Sequence, residues 1–166
     1  MSRRPFRIGR ARTGLGLFAT TEIRKRARIA QYRGPLLAHK EAVRRENAGN
    51  RYLFEINNRW TIDGTSRRNV ARYANHSCNP NAEAYVVKLR VFLRAVRRIK
   101  PGEEIVYDYG RDYLKNVIGL SNCKCRRCLR RKARHKREAR LRLKRREAYA
   151  KKKRAEKRAK ANRKKR

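Results

Sequence analysis

Four cysteines are the residues of this sequence whose type and spacing indicate a chemistry most directly. Three stand in the run Cys123-Lys124-Cys125-Arg126-Arg127-Cys128, and the fourth is Cys78. A structural zinc ion takes four ligands in a tetrahedron, and thiolates are common among them. Because there is no other cysteine, one four-cysteine site leaves none over, which favours zinc over free thiols. Neighbouring Lys and Arg side chains would also stabilise the thiolates.

The segment from Asn75 to Cys78 admits other interpretations. Asn75-His76-Ser77 matches an N-glycosylation sequon. His76 with Cys78 would suit a Cys/His nucleophile, although no oxyanion-type loop is evident in the sequence. Zinc ligation by Cys78 is the interpretation that the three C-terminal cysteines support.

Glycine and tyrosine motifs carry less weight on their own. Gly14-Leu15-Gly16 would let the backbone approach a ligand without an obstructing Cβ, but no Rossmann-type unit surrounds it. Tyr32 stands at a predicted strand end, where tyrosine is usually a core residue. The run Glu103–Tyr109 reads as a strand that ends with Tyr107 and Tyr109 on one face, and aromatic packing at an edge strand would explain it equally.

Short β-strands are the elements that must position these residues. Up to Cys128, short apolar runs alternate with turn residues such as Asp63-Gly64 and Pro101-Gly102. Residues His39–Asn47 are predicted to form the one helix between strands. The predicted strands are Gly16–Ala19, Arg28–Tyr32, Tyr52–Ile56, Trp60–Asp63, Glu83–Val87, Leu89–Leu93 and Glu104–Asp108. The sequence therefore predicts a mainly β domain.

The charge is concentrated after Cys128. The 166 residues carry a formal net charge of +38, and residues 129–166 hold 22 Lys and Arg against 3 Glu. This tail has no Gly or Pro and consists largely of good helix formers, but its few large apolar residues form no continuous stripe. We predict a helical or disordered basic tail that orders on an acidic partner. A solvated tail without a specific partner is the alternative.

Composition also limits the location and partners of the protein. No apolar stretch approaches the roughly 20 residues that span a bilayer, so we expect no membrane partner. The first residues are charged without a following apolar run, unlike a secretory signal. We expect a cytoplasmic or nucleoid-associated protein in a bacterium, or a nuclear protein in a eukaryotic cell. The sequence gives no indication of oligomeric state.

Taken together, the motifs resemble the SET-domain family of protein lysine methyltransferases. The resemblance covers about residues 6–129, and its most specific part is the segment 61–81. The motifs stand in the family's order: GLG at 14–16, YRG at 32–34, RYLFEI at 51–56, TIDGTSRRNVARYANHSCNPN at 61–81, GEEIVYDYG at 102–110 and CKCRRC at 123–128.

The resemblance implies a fold and a division of the chain. The fold is a set of small β-sheets with a pseudoknot, in which the segment around Asn75–Cys78 and the segment ending at Tyr109 thread through one another. The division is a SET domain at 6–115, a post-SET zinc segment at 116–129 and the basic tail at 130–166. No cysteine-rich pre-SET region is present.

The resemblance also implies roles for individual residues. Tyr109 matches the catalytic tyrosine, and Tyr32, Tyr52 and Tyr107 would wall a channel for the substrate lysine. Cys78, Cys123, Cys125 and Cys128 match the post-SET zinc site. The S-adenosylmethionine pocket would be formed by Gly14, Leu15, Gly16, Tyr52, Asn75, His76 and Lys124.

The expected reaction is methyl transfer from S-adenosylmethionine to a lysine ε-amine of a histone, nucleoid protein or other nucleic-acid-associated protein. Tyr107 stands where the family carries Tyr or Phe, and Tyr there goes with mainly monomethylation. The tail would bind nucleic acid or another polyanion.

Several features depart from the family pattern. Tyr73-Ala74 replaces the usual Phe and Ile or Val, Ile105 replaces the common Leu, and the last cysteines have the shorter CxCxxC spacing. Two other functions remain open: a polyanion-binding protein with a degenerate SET domain, and a relative that methylates rubisco or ribosomal proteins. The intact Asn75, His76 and Tyr109 argue against degeneracy.

Overall fold

The computed structural model describes residues 4–164, apart from the side chains of residues 156 and 158–164. The chain divides into two compact units, one that runs to Cys125 and one that begins at Arg126. The first is mainly β, as predicted. The described part of the second, Arg126–Lys164, is a single helix, so the helical form of the predicted tail is confirmed. No helix in the described part of the chain is both long and apolar enough to cross a bilayer.

The described residues of the first unit form ten strands in three small sheets. Their spatial orders are β1-β2-β10-β7, β3-β9-β8 and β4-β6-β5. The strands are β1 Phe6–Ala11, β2 Gly14–Ala19, β3 Arg28–Tyr32, β4 Leu36–Ala38, β5 Leu53–Glu55, β6 Trp60–Asp63, β7 Asn75–His76, β8 Ala82–Val87, β9 Arg90–Ala95 and β10 Glu104–Tyr107.

Helical segments are short except at the C-terminus. The helices are α1 His39–Asn47, a 3-10 turn at Val70–Tyr73, α2 Arg111–Tyr113, a π-helical turn at Leu114–Ile118 and α3 Arg126–Lys164. Helix α1 has the predicted bounds, and Glu41 in its first turn forms ion pairs with Arg44 and Arg45. Such exposed pairs each add only a few tenths of a kcal/mol.

The hydrophobic core includes residues from all three sheets. Leu17, Val91, Leu93, Ile99 and Ile105 are completely buried, and full burial of such a side chain contributes about 1.5–3 kcal/mol. In β10 the buried and half-buried positions alternate, because successive side chains of a strand point to opposite faces. This alternation turns Ile105 and Tyr107 into the core.

Strands β7 and β10 pair in parallel, with Asn75 opposite Val106 and His76 opposite Tyr107. Asn81, only 1% exposed, reinforces the pairing because its amide donates to the Glu104 carbonyl (2.8 Å) and accepts from the Val106 N–H (2.9 Å). Ser77 N–H also donates to the Tyr107 carbonyl at 2.9 Å. These are the two segments that the resemblance placed in the pseudoknot.

A buried carboxylate organises the turn after β6. Asp63 accepts hydrogen bonds from the Thr65 N–H (3.0 Å) and the Asn50 amide (3.1 Å), and it forms an ion pair with Arg45. Burial alone would raise the pKa of Asp63, but the hydrogen bond from the Thr65 hydroxyl and these contacts outweigh it and hold the pKa at about 2. The charged carboxylate therefore holds the turn that contains Gly64, whose N–H donates to the Tyr52 carbonyl at 2.8 Å.

Candidate functional site

A cluster of tyrosines lies at and beyond the end of β10. The ring centroids of Tyr107 and Tyr109 are 4.7 Å apart, and Tyr113 packs edge-on against Tyr109 at 5.3 Å. The Tyr109 hydroxyl donates to the Ala74 carbonyl at 2.8 Å. Tyr113 was not identified from the sequence.

Tyr32 is fixed beside this cluster. Its hydroxyl donates to the Tyr52 carbonyl at 2.9 Å, and its ring packs against Phe54 with centroids 5.4 Å apart. A Cβ on Gly64 would lie 2.4 Å from the Tyr32 hydroxyl and ring, so this close approach requires glycine.

Burial keeps these phenols protonated. Desolvation raises the pKa of Tyr32, Tyr107 and Tyr109 well above the ordinary value of a tyrosine, and it raises the pKa of Tyr113 as well. A neutral phenol is a hydrogen-bond donor and acceptor. The cluster can therefore orient a polar group, but it offers no phenolate base at neutral pH.

Arg72 covers the neighbouring Tyr52. Its guanidinium carbon lies 3.6 Å from the centroid of the Tyr52 ring, which is within cation–π range. Its charge also acts to lower the pKa of Tyr32, but desolvation of Tyr32 is the larger effect. Arg72 stands inside the segment 61–81, yet no pattern in the sequence indicated a role for it.

The glycine motif meets Asn75 at the hairpin between β1 and β2. The Asn75 amide donates to the Leu15 carbonyl at 3.0 Å and to Glu104 Oε1 at 2.8 Å. A Cβ on Gly16 would lie 2.8 Å from Glu104 Oε1 and 3.2 Å from the Asn75 nitrogen. Gly14 has φ +108°, a backbone conformation that favours glycine. The structure thus brings Gly14, Leu15, Gly16 and Asn75 together, and Glu104, which the sequence did not single out, joins them.

His76 links the tyrosines to the cysteines. Its Nδ1 accepts from the Tyr109 N–H at 3.2 Å, and its Nε2 lies 3.2 Å from Cys78 Sγ. Because Nδ1 is an acceptor, we assign the proton of the neutral ring to Nε2. Burial lowers the pKa of His76 and favours that neutral form, although Asp108, at 3.6 Å, opposes the shift.

The four cysteine sulfurs lie within 4.8 Å of one another. The Sγ atoms of Cys78 and Cys123 are 3.9 Å apart. Two sulfurs bound to one tetrahedral zinc ion at about 2.3 Å would be about 3.8 Å apart, which is close to this distance. Four thiolates are also the donors of a closed structural site. The cluster therefore fits the predicted zinc ion. Lys124, between two of the cysteines, is exposed.

Comparison with known proteins identifies the family of the chain. The model of the SET domain matches residues 14–110. Histone-lysine N-methyltransferase 2D of Homo sapiens is 40% identical over 109 residues, which are 60% of this chain and 2% of that protein. Histone-lysine N-methyltransferase mes-4 of Caenorhabditis elegans is 32% identical over 133 residues, which are 68% of this chain and 14% of that protein. The chain thus spans only a small part of the length of these relatives.

Solved structures of polycomb repressive complex 2 share the fold. A ctPRC2 chain in complex with H3K27me3 superposes with a TM-score of 0.61 and 26% identity over 72% of this chain and 16% of that one. A second ctPRC2 structure, in an autoinhibited conformation and bound to S-adenosylmethionine, gives a TM-score of 0.60 and 29% identity over 69% of this chain and 16% of that one.

Proposed function

Since the chain belongs to the SET-domain family, we propose that it transfers a methyl group from S-adenosylmethionine to a lysine ε-amine of a protein. The observation that carries the proposal is the pair of hydrogen bonds between Tyr109 and residues 74–76, which we call the Tyr109 junction. The Tyr109 hydroxyl donates to the Ala74 carbonyl, and the Tyr109 N–H donates to His76 Nδ1. This junction joins the proposed lysine channel to the proposed cofactor residues. It supports an enzyme over a degenerate domain.

The proposed cofactor residues surround the β1–β2 hairpin and β7. Gly14, Leu15 and Gly16 would offer backbone groups, and Asn75 and His76 would add polar contacts from β7. Tyr52 and Lys124 would complete the pocket. When bound, S-adenosylmethionine supplies an activated methyl group on a sulfonium.

The tyrosines would prepare the acceptor amine. A free lysine has a pKa of about 10.4, so only about one in a few thousand is neutral at pH 7. Removal from water lowers that pKa, and the ammonium proton would leave to solvent before transfer. The hydroxyls of Tyr109 and Tyr107 would then orient the nitrogen lone pair. Transfer forms the nitrogen–carbon bond as the sulfur–carbon bond breaks, and alignment is the main requirement.

Tyr107 would limit the reaction mainly to monomethylation. It is only 7% exposed and packs against Tyr109, so its hydroxyl would occupy space that a second methyl group needs. We expect Tyr107→Phe to convert a mainly monomethyl product into one rich in di- and trimethyl-lysine. Mass spectrometry of core histones incubated with isotope-labelled S-adenosylmethionine measures the distribution.

Tyr149→Phe is the matched control, because Tyr149 lies 63% exposed on α3 and should leave the products unchanged. Efficient trimethylation by the unaltered protein would refute the role of Tyr107. Absence of any transfer to histones, bacterial histone-like proteins and ribosomal proteins would refute the enzyme itself.

We propose a histone or another nucleic-acid-associated protein as the substrate. The support comes from the relatives, which are histone-lysine N-methyltransferases, together with the strong positive charge of this chain. A nuclear location would follow in a eukaryotic cell, and nucleoid association in a bacterium.

Helix α3 would anchor the enzyme to nucleic acid. Among its described side chains beyond Leu129, all are exposed, and they include the basic run Lys151–Arg154. Such a surface neutralises phosphates and releases counterions. It cannot dock through burial of a continuous apolar face, because its larger apolar residues are exposed singly.

Replacing Lys151, Lys152, Lys153 and Arg154 with Gln is expected to weaken duplex DNA binding and flatten its salt dependence. If all four contact phosphates, the negative slope of log affinity against log salt concentration should become less steep by about 3–4. The control makes the same change in charge at Arg24, Lys25, Arg59 and Arg90, which are exposed in the first unit. Equal slopes for the two variants, measured by fluorescence anisotropy, would rule out α3 as the anchor.

A further inference from the structure

We propose that a cavity lined by arginines, separate from the residues assigned above to methyl transfer, binds a compact polyphosphate. The cavity has a volume of about 360 Å³, which lies within the range of small-ligand pockets. It lies against the start of β1, strand β3 and residues 68–70. The side chains that define this arginine cavity are Arg4, Arg28, Arg33, Arg68, Phe6 and Phe92.

The arginine cavity has an uncompensated positive charge. None of the described residues that line it is acidic. Elsewhere in the same unit acidic side chains neutralise arginines, as Glu83 does for Arg94 and Glu103 for Arg97. Among the side chains that the structure describes, none of the four cavity arginines takes part in an ion pair. Four like charges around one concavity attract anions strongly.

Parts of the arginine cavity are fixed before any ligand binds. Asn69, which is 1% exposed, accepts from the Arg33 N–H at 3.0 Å and donates to the Gly64 carbonyl at 3.3 Å. These bonds tie Asn69, the residue that follows Arg68, to the backbone at Arg33 and at Gly64. An ordered site loses less conformational entropy when it binds.

A second contact orders one of the guanidinium groups. The Arg28 guanidinium lies 4.2 Å over the Phe92 ring, and its Nε donates to the Tyr85 hydroxyl at 3.1 Å. The terminal nitrogens of Arg28 keep donor capacity for a ligand, since the guanidinium carries five N–H groups.

The chemistry of the lining selects phosphate. All the cations are arginines, whose planar forks bind phosphoryl oxygens in pairs. Adjacent phosphoryl groups place several negative charges within a small volume, matching the four arginines. Of the two phenylalanines in the lining, Phe92 is only 8% exposed and lies under the Arg28 guanidinium, and Phe6 packs against the core. The ligand is therefore a polyphosphate chain, either inorganic or carried by a nucleotide.

Titration of the whole chain with inorganic triphosphate at physiological salt tests this inference. We expect saturable binding at about one site per chain. Arg33→Gln combined with Arg68→Gln should weaken it by at least about tenfold, since each arginine provides charge-assisted hydrogen bonds. The matched control is Arg142→Gln with Arg146→Gln on α3, which removes the same charge and should change the affinity less than about twofold. Equal losses in the two variants, or binding that does not saturate, would overturn the proposal.

Two further measurements locate and identify the ligand. Amide NMR signals of Gln31 and Arg33 should shift with triphosphate in the unaltered chain, and unmoved signals at saturation would overturn the site.

Equal affinity for triphosphate and ATP would assign recognition to the phosphate chain, and tighter binding of ATP would assign it to a nucleotide. If only a single-stranded oligonucleotide binds through these arginines, the proposal of a compact polyphosphate ligand is wrong. Methyl transfer by the Arg33/Arg68 variant should persist, so this proposal can fail without the enzyme proposal failing.

Discussion

Tyr109→Phe is expected to reduce methyl transfer by about 10²–10³-fold, the usual loss when one positioned hydrogen-bonding group is removed from an active site. The substitution deletes the hydroxyl that binds the Ala74 carbonyl and keeps the ring that packs between Tyr107 and Tyr113. Because burial raises the pKa of Tyr109, the lost group is a neutral phenol throughout the physiological range. Single-turnover transfer from labelled S-adenosylmethionine measures the rate.

Affinity for S-adenosylmethionine should stay within about twofold, because the Tyr109 bond to His76 uses the backbone N–H. Tyr113→Phe is the matched control. Its hydroxyl donates to the Arg51 carbonyl at 3.1 Å, away from the Tyr109 junction, so we expect a loss of only a few-fold. If Tyr109→Phe transfers methyl groups at the rate of the unaltered protein, the proposed catalytic role is wrong.

The elements that the sequence predicted best are those with local signals. Arg28–Tyr32, Trp60–Asp63 and His39–Asn47 have the predicted bounds, because apolar pattern and flanking turn residues mark both ends. Strand β1 was not predicted, since its burial pattern shows mostly exposed and half-buried residues. It is a strand because it pairs with β2 along its whole length, and pairing of that kind is not encoded within the strand itself.

Nonlocal contacts also explain what was predicted of the site and what was missed. The motifs predicted the family, and the comparisons confirm it. The number of cysteines predicted a cluster in which Cys78 meets residues 45 or more positions away in the sequence. The contact of Glu104 with Asn75 and that of Arg72 with Tyr52 depend on the parallel pairing of β7 with β10 and on the 3-10 turn. Neither leaves a periodic signal in the sequence.

Removing zinc is expected to weaken S-adenosylmethionine binding by about tenfold or more, since changing even the groups that surround a metal site commonly costs about 10–100-fold in metal affinity or activity. Cys78 Sγ and Cys123 Sγ are 3.9 Å apart, a separation at which one zinc ion can bind both sulfurs and hold them in place. Movement of Cys78 would displace His76, whose ring lies 3.2 Å from the Cys78 sulfur and binds Tyr109 through its other nitrogen. The disturbance would thus reach a proposed cofactor residue directly.

Calorimetric titration with S-adenosylmethionine before and after chelation, in reducing buffer, measures this coupling, and metal analysis should give about one zinc per chain beforehand. Restoring zinc should restore the affinity. Cys78→Ser should reproduce the effect of chelation, because it removes a ligand without touching the β1–β2 hairpin. Unchanged affinity after complete chelation would show that the cysteine cluster and the cofactor pocket are independent. In that case the short connection from Cys78 through His76 to Tyr109 would be only a packing contact.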